Sequence, residues 1–175
     1  MNNDEQLRYP TGRFTARDSY APEEVKANIS RIEAVPAKIE ALVSTLTPQQ
    51  LATPYRPGGW TALQVIHHIP DSHMNAYIRV KWSLTEDTPT IKAYDETTWA
   101  LTPETRADPS ISIALLKALH IKWVTLLKGL TKEDLEKKFF HPDSKKYIRL
   151  DQAIASYAWH GEHHLGHLKI VAGQL

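Results

Sequence analysis

Residues 150–172 read LDQAIASYAWHGEHHLGHLKIVA, and this stretch decides how the chain folds. Ile154, Ala158, Gly161, Leu165 and Leu168 recur at steps of three and four, which places them on one face of an α-helix. Three more segments upstream carry the same period. The first opens at Pro22-Glu23-Glu24, a proline at a helix start with acids in the first turn. Val25, Ile29, Ile32, Val35, Ile39, Leu42 and Leu46 form its stripe, and Pro36 interrupts the run without shifting its phase. The second runs from about Trp60 to Leu84, after the turn Arg56-Pro57-Gly58-Gly59, with Thr61 or Gly59 as its cap and a kink expected at Pro70. The third runs from Asp108-Pro109 to about Leu130, with Ile113, Leu116, Leu119, Trp123, Leu126 and Leu127 as its stripe. Four long amphipathic helices in one small chain predict an all-α four-helix bundle.

The connections add detail. Residues 85–107 form a long crossing that carries Tyr94, Asp95 and Trp99, and its length permits an order other than simple up-down-up-down. Lys138-Phe139-Phe140-His141 and Lys146-Tyr147-Ile148-Arg149 flank Pro142-Asp143-Ser144, the pattern of a small β-hairpin between the third and fourth helices. Residues 1–21 lack helical periodicity and read as an extended arm on the domain or on a partner. The whole chain, 1–175, is expected to be a single domain, because a chain of this length buries roughly 70% of its unfolded surface in one core.

Composition excludes several classes. Lys+Arg number 21 and Asp+Glu 20, which leaves no basic excess for nucleic acid. There is no cysteine, so disulfides, thiolate metal sites and a cysteine nucleophile are excluded. The N-terminus is polar and acidic, and no stretch is expected to approach the ~20 apolar residues of a membrane span. The expected compartment is the cytoplasm, with no membrane partner.

The nine histidines are the chemical signal. His160 and His164 are four apart, about 40° beyond one full helical turn, so both rings leave one face and can share a metal. A lone histidine on an apolar face is ordinarily a packed residue. Four in eight residues of one helix (His160, His163, His164 and His167) point to metal instead. His163 and His167 form a second pair of the same spacing. His167 could support a ligand from behind or touch substrate. A third ligand must come from another helix, where His67, His68 and His73 compete. Small neighbours leave a cavity around His68. His67 falls about 100° away on the helix and is expected to be exposed. His73 lies toward Ile66, Ile69 and Tyr77, and spacing alone does not choose among the three. Three neutral imidazoles suit Zn²⁺, Ni²⁺, Co²⁺ or Fe²⁺ and leave a coordination position open, the mark of a catalytic site.

Gly58-Gly59-Trp60-Thr61-Ala62-Leu63-Gln64-Val65-Ile66-His67-His68, followed by Asp71-Ser72-His73-Met74-Asn75, resembles the second helix of the DinB/YfiT-like superfamily. Trp159-His160-Gly161-Glu162-His163-His164-Leu165-Gly166-His167 resembles its closing metal helix. Arg8-Tyr9-Pro10-Thr11-Gly12, Val35-Pro36-Ala37-Lys38, Thr53-Pro54-Tyr55-Arg56 and His141-Pro142-Asp143 are similar to the YfiT branch, a group of metal-dependent hydrolases and bacillithiol transferases. The similarity runs over nearly the whole chain. It implies His68, His160 and His164 as the ligands of one divalent metal per chain, Zn²⁺ or Ni²⁺, in a homodimeric four-helix bundle. The family often has glutamine at the position of His167, so no role for His167 is implied.

The expected function is transfer of a low-molecular-weight thiol, bacillithiol or a similar one, to an electrophilic small molecule. A chain without cysteine must take its sulfur from such a co-substrate. The alternative is hydrolysis by metal-activated water, and a second alternative is a non-enzymatic dimer stabilised by metal. Asp71, three residues from His68, is the weak candidate for a catalytic acid or base. Tyr55, Arg56, Tyr77, Tyr94 and Trp159 are candidates for a pocket wall, with ordinary packing the favoured role for each.

Overall fold

The apolar stripes become helices wherever the sequence carries them. The computed structural model describes residues 3–175. Its elements are α1 (Asn3–Arg8), α2 (Pro22–Val43), α3 (Pro48–Leu51), α4 (Ala62–Thr85), α5 (Glu96–Trp99), a 3-10 turn (Pro103–Arg106), α6 (Pro109–Lys128), α7 (Lys132–Glu136), β1 (Lys138–His141), β2 (Lys146–Arg149) and α8 (Leu150–Val171). Thr61 is the cap of α4. Its hydroxyl accepts from the Gln64 N–H at 3.2 Å, and the Gln64 side chain accepts from the Thr61 N–H at 3.0 Å. Asp108 caps α6 by accepting from the Ser110 N–H at 2.8 Å. Both α2 and α4 continue as helix through their internal prolines, Pro36 and Pro70.

The long helices pack in the ring α2–α6–α4–α8, so α2 lies across the bundle from α4, and α6 from α8. Simple up-down order would make consecutive helices neighbours. The diagonal steps fall on residues 44–61 and 129–149. The long crossing at 86–108, where the sequence suggested the departure, joins the adjacent pair α4 and α6. The antiparallel hairpin is where the sequence placed it, with Phe139 opposite Ile148 and Phe140 opposite Tyr147. The crossing chain is tied to it: Phe140 N–H donates to the Pro89 carbonyl at 2.9 Å, and Ile91 N–H to the Phe140 carbonyl at 3.1 Å.

Two apolar clusters fill the bundle. One is centred on Ile32, Trp123, Leu127 and Ile154, the other on Ile39, Ile66, Ile69, Leu116 and Leu168. Between them along α4, α6 and α8, histidines stand where aliphatic side chains would otherwise continue the core.

Two expectations need correction. Residues 1–21 are not extended throughout, because Asn3–Arg8 form α1; residues 1 and 2 of the expected arm lie outside the described chain. Asp4 and Glu5 in its first turn and Arg8 in its last suit the helix dipole. Six residues are too few to show an apolar period. The rest of the arm lies along α8: Trp159 Nε1–H donates to the Gly12 carbonyl at 2.9 Å, and Gln152 Nε2–H to the Arg17 carbonyl at 2.8 Å. The second correction concerns α6, which is long and apolar enough, by length and composition alone, to cross a membrane. Here Leu116, Trp123, Val124 and Leu127 are buried against the bundle, and Lys117 and Lys128 pair with Glu40 and Glu33 of α2.

α2 and α8 approach closely at Gly161, where a Cβ would stand 2.6 Å from Val35 Cγ2. Valine is stiff in a helix and cannot swing aside. Gly161→Ala should therefore lose about 1–2 kcal/mol of stability despite alanine's better helix propensity. A urea midpoint lowered at constant slope is the expected reading, and a raised midpoint would show that the contact is loose.

Candidate metal centre

Three imidazoles converge on the wall of a large cavity. The ligand-capable nitrogens of His68 on α4 and of His160 and His164 on α8 all lie within 4.8 Å of one another. The two α8 rings share a face through their four-residue spacing. His68 comes from the neighbouring helix, with its Nε2 3.3 Å from His160 Nε2. Two nitrogens ~2.0–2.1 Å from a tetrahedral ion stand about 3.4 Å apart. The His68–His160 pair already has that spacing, and His164 lies close enough to complete the set around a cation. Burial, and then the neighbouring imidazoles, push His160 and His164 well below the usual histidine range. Burial, followed by His167, pushes His68 down to about 4. All three rings are neutral at physiological pH, the form in which imidazole binds a metal.

Which nitrogen carries the proton follows from the hydrogen bonds. Pro36 has no N–H to donate four residues back, so the carbonyl of Ile32 is left without its helical partner. His120 Nδ1 lies 2.9 Å from that carbonyl and must donate to it. Burial holds His120 at about 4, so it has one proton and its Nε2 accepts. His73 Nδ1 donates there at 2.7 Å. His73 is neutral too, so its Nε2 accepts from His160 Nδ1 at 3.1 Å. His160 Nε2 is left with a lone pair facing His68.

A second chain ends at His164. Arg8 is the last residue of α1, and its carbonyl accepts from His167 Nε2 at 3.2 Å. His167 Nδ1 then accepts from His164 Nδ1 at 3.3 Å, which frees His164 Nε2. His163, His164 and His167 also lie within 4.8 Å of one another, but His167 has both nitrogens engaged in this chain. His163 stacks on Trp159 at 4.4 Å.

His67 is buried rather than exposed, because Ser112 and the Ala107 carbonyl close over it from the start of α6 at 2.7 and 3.2 Å. His73 is fully buried behind His160. Of the α4 candidates, only His68 joins the converging group. Trp60 covers it, with ring centroids 4.7 Å apart.

The cavity has a volume of about 1160 Å³, and Tyr55, Arg56 and Trp159 stand on its wall together with the three histidines. For these three the packing role favoured on sequence grounds gives way to a wall position. Tyr77 packs on the core, and Tyr94 against Trp99 at 4.5 Å. Asp71 is absent from the wall. Its carboxyl is raised to about 6 by burial and then by Glu104. The folded chain thus holds this proton more tightly than the unfolded chain, and stability falls as pH rises from about 4 to 6. Asp71→Asn should add about 1 kcal/mol at pH 7.5, after allowance for partial exposure, and nothing near pH 4. Urea melts at the two pH values check this.

Sequence reading left His73 open and His120 unassigned. The signal for His120 was available, because it continues the buried stripe Leu116, Trp123 and Leu127 on α6.

Residues 31–168 match the family model described as the DinB superfamily. YfiT of Bacillus subtilis (strain 168), named "putative metal-dependent hydrolase", is 48% identical over 163 residues, covering 93% of this chain and 92% of its own. A protein of Bacillus cereus (strain AH820) with the same description is 48% identical over 162 residues and 93% of each chain. The solved structure of Bacillus subtilis YfiT, described as "a probable metal-dependent hydrolase with an unusual four-helix bundle topology", matches with a TM-score of 0.94 at 46% identity over 97% of both chains. The chain belongs to the DinB superfamily. The relatives' names go as far as metal-dependent hydrolysis.

Proposed function

We propose that this DinB-superfamily chain is a metal-dependent enzyme for small molecules, in which His68, His160 and His164 hold one Zn²⁺ or Ni²⁺ per chain. Hydrolysis is the reaction that the relatives' names support. The observation that carries the reading is the convergence of three neutral imidazoles on the cavity wall, two of them with their proton fixed on the nitrogen turned away from the cluster. A divalent cation supplies Lewis acidity there, lowering the pKa of a water or thiol that binds it and polarising a carbonyl. The chain's own residues hold and orient. His73 and His167 stand behind two of the ligands, Trp60 shields His68 from solvent, and the Ser72 hydroxyl lies 3.3 Å from His160 Nε2. Among the described residues the cluster has three donors and faces the cavity, which supports a catalytic site over a closed structural one.

Thiol transfer is the second reading. The cavity exceeds the ~300–1,000 Å³ of an ordinary small-molecule pocket and has room for a thiol beside an electrophile. A homodimer belongs to the proposal through the resemblance, and the cytoplasm through the polar N-terminus alone.

Metal analysis combined with cobalt substitution and thiol titration tests the proposal. About one metal per chain with ester or amide turnover supports hydrolysis. A thiolate-to-cobalt absorption band on titration supports thiol transfer. No metal after reconstitution would overturn both.

A further inference from the structure

Arg79 projects from α4 into the same cavity, and no acid among the described residues pairs with it. The residue is only 8% exposed. No carboxylate among the described residues comes within 4.0 Å of its guanidinium. A guanidinium has five N–H donors and cannot shed its charge in a protein. Two of the five are used, and weakly: Nη1 donates to the Tyr157 hydroxyl at 3.3 Å and Nη2 to the Lys92 carbonyl at 3.4 Å. Nε is buried with no partner. Such a charge is costly to bury unless an anion completes it. Several arginines elsewhere on the molecule have acids. Arg31 pairs with Glu162, Arg17 with Glu24 and Arg149 with Asp151.

The position relative to the histidines gives this charge a use. Tyr157 touches Arg79 through its hydroxyl, and its ring centroid lies 5.6 Å from that of His160. Arg79 is thus one aromatic side chain away from the converging nitrogens. The rest of the wall agrees in sign, with four cationic side chains against two carboxylates, Asp18 and Glu96, both exposed.

We propose that Arg79 forms an oxyanion subsite, which binds a carboxylate or phosphate group of the substrate and orients the molecule toward the three histidines. This substrate class rests on the reading of the cavity as an active site. The planar fork of arginine matches either group through two parallel hydrogen bonds. The anion supplies the acceptors that the protein withholds from Nε and the unused Nη hydrogens. Neutral analogues of the same shape should enter the cavity less readily and react less often.

Calorimetric titration of the full chain with inorganic phosphate and with acetate tests the proposal, with the metal loaded and after chelation. Saturable one-to-one binding of at least one anion is expected in both forms, weakened at least tenfold in Arg79→Gln. Preference for phosphate or acetate identifies the group on the substrate. If Arg79→Gln does not fold by circular dichroism, Arg79→Lys and Tyr157→Phe carry the test, and each should weaken binding while keeping the charge. Wild-type affinity in a folded Arg79→Gln, or in both of the milder variants, would overturn the proposal. So would an anion that binds only the metal-loaded form. A chain that takes up no metal yet binds phosphate through Arg79 would sink the metal reading and leave the subsite standing.

Discussion

His164→Ala is expected to lose the metal and with it about 1,000-fold or more of the activity. The argument begins with ligand count. His68 and His160 alone leave two imidazoles, and a catalytic zinc-type site rests on three protein ligands. His164 is buried, its Nε2 is left free by the contact of Nδ1 with His167, and its ligand-capable nitrogen lies within 4.8 Å of those of the other two rings. No carboxylate belongs to the cluster that could replace it. Loss of about 4 kcal/mol of transition-state stabilisation corresponds to that thousandfold. Stability gives an independent reading. Metal at 100 to 1,000 times its dissociation constant stabilises the folded chain by about 2.7–4.1 kcal/mol. Chelation should therefore lower the melting temperature of the wild type and leave that of His164→Ala unchanged. His163→Ala is the control. Its ring stacks on Trp159 and makes no hydrogen bond to a ligand, so the metal should stay. Stoichiometric metal in His164→Ala would show that the three-histidine assignment is wrong.

The fold was legible because four apolar stripes and a turn between two short strands are local signals. Thr61, Asp108 and Pro22 mark helix starts that the structure places at the expected residues. Two features were not legible. The six residues of α1 are too short for a period, and their helix is supported by contact with α8. The diagonal order was hidden because linker length alone does not reveal which linker crosses the bundle. Residues 129–149 take the diagonal with α7 and the hairpin built into them, whereas the longer crossing joins neighbours.

The candidate site was legible in part for a related reason. The four-residue step puts His160 and His164 together from spacing, and any helix would do so. The choice of His68 over His67 and His73 depended on how α4 is rotated against α8, which is a tertiary fact. His67 fell on the side closed by Ser112, so an exposed role expected from helical angle became a buried hydrogen-bonded one. Arg79 reads in sequence as one more surface cation. Only the packing around it shows a charge without an acid.

His120→Leu carries the second large effect, because it breaks the chain that fixes His160 from behind. Leucine leaves the Ile32 carbonyl without a donor, since Pro36 cannot supply one, and leaves His73 Nδ1 without an acceptor. Two buried groups unsatisfied at about 1–3 kcal/mol each should lower stability measurably. The metal should suffer separately. His73 no longer has a reason to keep its proton on Nδ1. It can then present a proton to His160 Nδ1, and the imidazole of His160 can protonate on Nε2, the nitrogen that faces His68. Residues that orient a ligand in this way are worth about 10–100-fold in metal affinity. Competition against a chelator of known affinity measures that loss, and nitrogen NMR of the His160 ring reports its tautomer. His120→Gln tells orientation apart from mere packing damage. Its amide can donate to the Ile32 carbonyl and accept from His73, so part of the affinity should return while the lost ring volume does not. Wild-type affinity in a folded His120→Leu would mean that His160 keeps its tautomer without help from α6. Pro36 would then free the Ile32 carbonyl for reasons of packing alone.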